Sequence, residues 1–131
     1  MKIHTVILAA GEGSRMLSNK AKSLQPVGGL SMLRRIFDTV SNLTDETSFV
    51  VGFEKDSVTN AVEKFSGINH ICEQKKPIGT ADAVKSALDS IKQNSKVLVL
   101  YGDVPLIKNE TLNNLISMTD DSLTILSTEL K

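Results

Sequence analysis

The 131-residue chain is long enough for one globular domain, since single cores commonly span about 100–200 residues. Its 40% apolar and 23% charged fractions support an ordinary core, and with 4% aromatics and no Trp the interior must be filled by Ile, Leu, Val, Ala and Met. Fifteen basic residues balance fifteen acidic ones, which argues against a nucleic-acid or membrane-surface binder, and no apolar stretch reaches the ~20 residues of a membrane span. No cationic segment followed by an apolar run opens the chain, so a cytoplasmic protein is expected. The single cysteine, Cys72, cannot close an internal disulfide and reads as a small buried hydrophobe on a strand.

In chain order, Thr5–Ala9 is a continuous apolar run, the mark of a strand covered on both faces. It runs into Leu8-Ala-Ala-Gly-Glu-Gly-Ser-Arg-Met16, where Gly11 and Gly13 allow a sharp turn and bring backbone amides close to an anion. Arg15 adds a planar cationic fork suited to phosphate oxygens. A dinucleotide fingerprint would need glycine at Met16, and a Walker A loop would need Gly-Lys-Ser/Thr, so this is a phosphate loop of another kind. Between Gly13 and Phe37 stand five basic residues and no acidic one: Arg15, Lys20, Lys22, Arg34 and Arg35. Arg15 and Lys22 flank the loop and are candidates for function, whereas Arg34 and Arg35 read as a solvated helix exterior.

Leu33, Ile36, Phe37 and Val40 have helical spacing, and Phe49–Val51 follows as a strand. The same alternation repeats with Val58, Ala61, Val62 and Phe65, then Ile68–Cys72. The next loop, Glu73-Gln-Lys-Lys-Pro-Ile-Gly-Thr80, carries Gln74, which can both donate and accept at a nucleobase edge. In it Gly79 permits close backbone approach, and Thr80 is the expected N-cap of a helix running from Ala81 through Ala83, Val84, Ala87, Leu88 and Ile91. The run Val97–Tyr101 ends in Gly102 and Asp103. Asp103 is either a Mg²⁺ ligand or the cap of a turn before Pro105. Asn109 is the expected N-cap of a helix carrying Leu112, Leu115 and Ile116, and Leu123–Ser127 reads as a last strand. With no helix to cover it, that terminal strand is expected to offer an edge for pairing between chains. His4 and His70, in or beside strands, read as structural. There is no Ser-His or Cys-His constellation. Strict alternation of strand and helix predicts an α/β fold: a Rossmann-like, mostly parallel sheet with helices on both faces.

Taken together, Leu8-Ala-Ala-Gly-x-Gly-Ser-Arg-Met, Lys22, Glu73-Gln…Gly79-Thr-Ala-x-Ala-Val and Leu100-Tyr-Gly-Asp-Val-Pro-Leu resemble the sugar-nucleotide pyrophosphorylase family, most closely its uridyltransferase branch. The resemblance covers essentially the whole chain and implies the nucleotide-diphospho-sugar transferase type of sheet. By that resemblance Leu8, Ala9, Ala10, Gly11 and Gly13 contact the nucleotide, and Arg15 and Lys22 neutralise its phosphates. Gln74, Gly79 and Thr80 serve the uracil, Tyr101 and Gly102 line the pocket, and Asp103 holds Mg²⁺. The implied partners are UTP and a sugar 1-phosphate, N-acetylglucosamine 1-phosphate by the nearest branch, with pyrophosphate released and a UDP-sugar formed. Ala21 and Ser31 stand where the family usually has proline. The family's sugar-gripping residues and a second metal ligand fall beyond Lys131, as does its β-helix domain. Residues 1–131 are therefore expected to be the nucleotide-binding part of a truncated transferase. A nucleotide-binding module without turnover is the alternative.

Overall fold

The computed structural model describes residues 1–13, 17–120 and 122–129. Four strands form one parallel sheet: β1 (Lys2–Leu8), β4 (Glu46–Val51), β5 (Ile68–Glu73) and β6 (Ser95–Tyr101). Their order is β5-β4-β1-β6, so β1 and β4 are central. Two short strands, β2 (Pro26–Val27) and β3 (Leu30–Ser31), make a separate antiparallel hairpin that the sequence reading passed over. Gly28 and Gly29 both have positive φ at its turn, the geometry that twists a two-residue hairpin correctly.

The alternation of side chains along the central strands splits the core in two. Ile7, Ala9, Phe49, Val51, Leu98 and Leu100 face one layer, where helices α1 (Met32–Val40), α2 (Lys55–Val62) and α4 (Asn109–Met118) pack. Val6 and Val50 face the other, covered by Ala83 of α3 (Thr80–Lys85) and by Ala87. Helices therefore lie on both faces, as expected, but the α3 side is thin: Val97, Val99 and Tyr101 of β6 remain 44%, 39% and 53% exposed there. The thick side is knit by stacked Phe37 and Phe65 rings with Phe49 beside them. Truncating the fully buried Phe49 to Ala would cost about 3–5 kcal/mol.

Several local expectations are corrected. Leu123–Ser127 forms no strand: Leu123, Ile125 and Leu126 are exposed, and without a neighbour's ladder an apolar run has nothing to hold it extended. The open edge on that side of the sheet is β6 itself. Asn109 is the first residue of α4 and not its cap. Its amide donates to the Thr39 carbonyl and to Asn42 Oδ1, both at 3.0 Å, tying α4 to the end of α1. Thr80 likewise opens α3, and Gly79 occupies the cap position at φ +131, a conformation that side chains rarely adopt. The helix expected through Ile91 stops at Lys85 and resumes as a 3₁₀ turn at Leu88–Ser90, where Ser86 and Ser90 bond backbone carbonyls with their hydroxyls. Arg34 does sit outside, paired with Asp38 and lying over Phe65, but Arg35 clamps the hairpin by donating to the carbonyls of Val27 and Gly28. Ser31 caps α1 by accepting from the Arg34 amide at 3.1 Å. Cys72 lies on β5 but is half-buried.

The base of the sheet, at the strands' amino ends, carries a polar cluster. The buried Glu46 carboxylate accepts from Lys92 Nζ and pairs with His70 at 2.9 Å. His4 stacks on His70 and bonds Ser48 at 2.7 Å. This is the structural role expected for both histidines. The hydrogen bonds from Lys92 and then His70 hold the Glu46 carboxyl down at about 2. Burial, then the neighbouring His70, holds His4 below its ordinary 6.5. Both groups bind protons more readily unfolded, so both contributions exist at neutral pH and are lost on acidification. The denaturant midpoint is expected to fall as pH drops below 6.5 and again between about 4.5 and about 2. In His4→Gln the first fall should flatten, and in Glu46→Gln the second. Urea titrations at stepped pH check this, and an unchanged profile in both variants would contradict it.

Candidate active site

All four parallel strands point their carboxyl ends at one edge. From β1 the chain winds outward through β4 to β5, then returns across the sheet to β6 on the other side of β1. That reversal places the topological switch point between β1 and β6, where open α/β sheets bind ligands. A cleft of about 290 Å³ lies there. Its lining combines the end of β1 (Leu8–Gly11), Lys22 with Ser23, the segment from Gln74 to Thr80, and Tyr101, Gly102 and Asp103 after β6.

Close backbone approach shapes the floor. The Gly102 amide donates to the Leu8 carbonyl at 2.8 Å, and the Ala9 amide donates to the Val50 carbonyl at 2.8 Å. A Cβ at Gly102 would stand 2.7 Å from the Leu8 oxygen and 3.3 Å from Ser23 Cβ, so only glycine fits. Gly13 takes φ +62 with its Cα against the Lys22 side chain, which explains glycine there; at Gly11 the space around the backbone is open. The amides of Gly11, Glu12 and Gly13 make no backbone hydrogen bond among the described residues, leaving them as donors beside the cleft.

The charged pair of the site is Lys22 and Asp103, whose Nζ and Oδ2 lie 2.5 Å apart across 81 residues of sequence. Lys22 sits on a 3₁₀ turn (Lys22–Leu24) anchored by the fully buried Ala21. Both side chains are more than a third exposed, so the pair contributes at most about 1 kcal/mol to stability and is free to exchange partners. On the opposite wall Gln74 is nine-tenths buried, with its amide nitrogen donating to the Gly79 carbonyl at 3.1 Å and to Asp82 Oδ2 at 3.0 Å. Beneath the pair, the Ser23 hydroxyl is buried with no partner among the described residues.

The fold thus brings together Leu8, Ala9, Ala10, Gly11, Lys22, Gln74, Gly79, Thr80, Tyr101, Gly102 and Asp103, as the sequence reading anticipated. Gly13 supports Lys22 from outside the lining, and Arg15 lies outside the described residues. Ser23, Pro77 and Ala83 were missed, because small or apolar residues give no chemical signal until the fold places them.

The MobA-like NTP transferase domain matches residues 5–129, nearly the whole chain and every segment that lines the cleft. The chain belongs to that family. Among similar proteins, the bifunctional protein GlmU of Ruthia magnifica is 45% identical over 126 residues, 95% of this chain and 27% of that protein. This member of the MobA-like family therefore spans little more than a quarter of that relative's length. Its fold matches 4-diphosphocytidyl-2C-methyl-D-erythritol synthase from Anaerococcus prevotii with a TM-score of 0.72 at 25% identity, over 88% of this chain and 49% of that one. A nucleotidyl transferase from Methanothermobacter superposes with a TM-score of 0.73 at 23% identity, over 91% and 58%. The nucleotidyltransferase assignment and the Rossmann-like parallel sheet follow. No helix among the described residues is long and apolar enough to cross a membrane.

The contact at Gly102 yields a test. Gly102→Ala should lower the unfolding free energy by about 1–3 kcal/mol, since the added methyl meets a carbonyl that cannot step aside. Gly11→Ala, with nothing within 4 Å of its Cβ, should leave stability almost unchanged. Equal urea midpoints for the two variants would contradict this account of the floor.

Proposed function

We propose that the domain transfers UMP from UTP to a sugar 1-phosphate, releasing pyrophosphate and forming a UDP-sugar, with N-acetylglucosamine 1-phosphate as the acceptor. The observation that carries the reading is the Lys22–Asp103 pair at the mouth of a cleft whose other wall presents a buried amide side chain, Gln74. The 45% identity to a GlmU supports the choice of nucleotide and acceptor. An attacking phosphate oxygen displaces pyrophosphate from the α-phosphorus in one step, and no protein nucleophile takes part. Catalysis then consists of positioning and charge neutralisation.

In this reading Leu8–Gly11 and Tyr101–Gly102 embrace the nucleoside, Gln74, Gly79 and Thr80 face the base, and the amides of Gly11–Gly13 with Arg15 meet the phosphates. Lys22 neutralises the α-phosphate as charge develops on it. Asp103 offers one hard carboxylate, and no group of three His, Cys, Asp or Glu side chains gathers among the described residues. Such a donor set fits Mg²⁺ held by one carboxylate together with substrate phosphates and water. When bound, the ion would withdraw charge from the phosphoryl oxygens. Asp103 would then exchange Lys22 for the ion, freeing the ammonium for the phosphate. Because the chain spans 27% of the length of its GlmU relative and supplies one carboxylate, a second reading is a module that binds nucleotide without turnover.

Calorimetric titration of the wild-type chain should show UTP binding, strengthened by Mg²⁺, and the Mg²⁺ effect should vanish in Asp103→Ala. In a pyrophosphate-release assay with N-acetylglucosamine 1-phosphate, Lys22→Ala should lower the rate by about 10²–10³. Nucleotide binding without pyrophosphate release supports the second reading. Absence of any nucleotide binding would sink both.

A further inference from the structure

We propose that Asp82 sets the base preference of the cleft by fixing which end of the Gln74 side-chain amide is left for the ligand. The inference rests on the reading above, in which Gln74 faces the base. Gln74 is nine-tenths buried and its backbone amide is fixed to the Val51 carbonyl at 2.8 Å, so the side chain has little freedom to relocate. Its two near neighbours, the Gly79 carbonyl at 3.1 Å and Asp82 Oδ2 at 3.0 Å, are both acceptors. Only the NH₂ group can face them. A reversed amide would set its oxygen against a carbonyl and a carboxylate, two repulsive contacts in a poorly solvated site.

The consequence concerns Oε1. It accepts no hydrogen bond among the described residues. Nor is it one of the fully enclosed orphan atoms, which are Thr5 Oγ1 and Ser23 Oγ. Oε1 is therefore open to the cleft as an acceptor, and the matching ligand must bring an N–H donor. Uracil has that donor at N3. Cytosine has an unprotonated acceptor at the same ring position, so it would leave two acceptors face to face. Gly79 contributes through its carbonyl, which no side-chain change removes, whereas Asp82 contributes through a carboxylate that cannot donate in return. Asp82 stands in the first turn of α3, on the element that covers the thin face of the sheet, and acts through Gln74 without touching the base itself. It is a positioning residue.

The test is the ratio of UTP to CTP affinities, measured by calorimetry with the full chain and Mg²⁺. Wild type should prefer UTP. In Asp82→Asn the new amide can donate to a reversed Gln74, and the UTP:CTP ratio should fall about tenfold, the worth of one hydrogen bond at ordinary strength. Asp82→Glu retains an acceptor and should keep most of the preference. An unchanged ratio in Asp82→Asn would overturn the inference. A measurement without mutation runs beside it: UTP methylated at N3 should bind the wild-type chain at least about tenfold more weakly than UTP. Equal binding of the methylated nucleotide would also overturn the inference. Failure of the underlying reading looks different, because wild type would then bind UTP and CTP alike.

Discussion

β1 is laddered on both sides, to β4 through five residue pairs and to β6 through seven, and the site hangs on those two ladders. Parallel pairing brings the carboxyl ends of all three strands level, so Leu8 meets Val50 on one side and Tyr101 on the other. The chain must leave the sheet at these ends. It can approach itself there only where side chains are absent or small, as at Gly102 and Ala9. A cleft at this edge is the unfilled space between two diverging connections. Lys22 and Asp103, far apart in sequence, meet because one follows the β1 loop and the other follows β6.

The two ends of the sheet use charge in opposite ways. At the base, Glu46 is buried and answered by Lys92 and His70, and the cluster closes on itself through the His4–His70 stack and the bond from His4 to Ser48. At the cleft, the Lys22–Asp103 pair is half-solvated and weakly held, the Ser23 hydroxyl is unpaired among the described residues, and the Gly11–Gly13 amides lack backbone acceptors among them. Polar groups that are satisfied stabilise a fold; polar groups held ready without partners cost stability and receive ligands. By this measure the cleft is the working end. Gln74 combines the two, with its nitrogen satisfied and its oxygen free.

Much of this was legible in the sequence because parallel strands covered on both faces produce unbroken apolar runs. Thr5–Ala9, Phe49–Val51 and Val97–Tyr101 all fall at β1, β4 and β6 or their ends. The loops after them carried the polar residues that now line the cleft. Failures cluster where local signal and tertiary context part. Leu123–Ser127 has strand composition but no partner to ladder with, and the serines after α3 break a helix whose apolar spacing continues. The β2–β3 hairpin was written in Gly28-Gly29, but its strands are too short to show a period. Asp82 and Ser23 were illegible, because their significance is a neighbour brought in by the fold: Gln74 for one, Gly102 for the other.

The central claim, that nucleotide occupies the switch point between β1 and β6, is tested most directly by following backbone amide resonances of the ¹⁵N-labelled chain as UTP and Mg²⁺ are added. Shifts should concentrate at Ala9–Gly13, Lys22–Ser23, Gln74, Gly79–Thr80 and Tyr101–Asp103, with Glu46, His70 and Lys92 at the base unmoved. Shifts centred on that base cluster, with the β1 and β6 ends silent, would contradict the account.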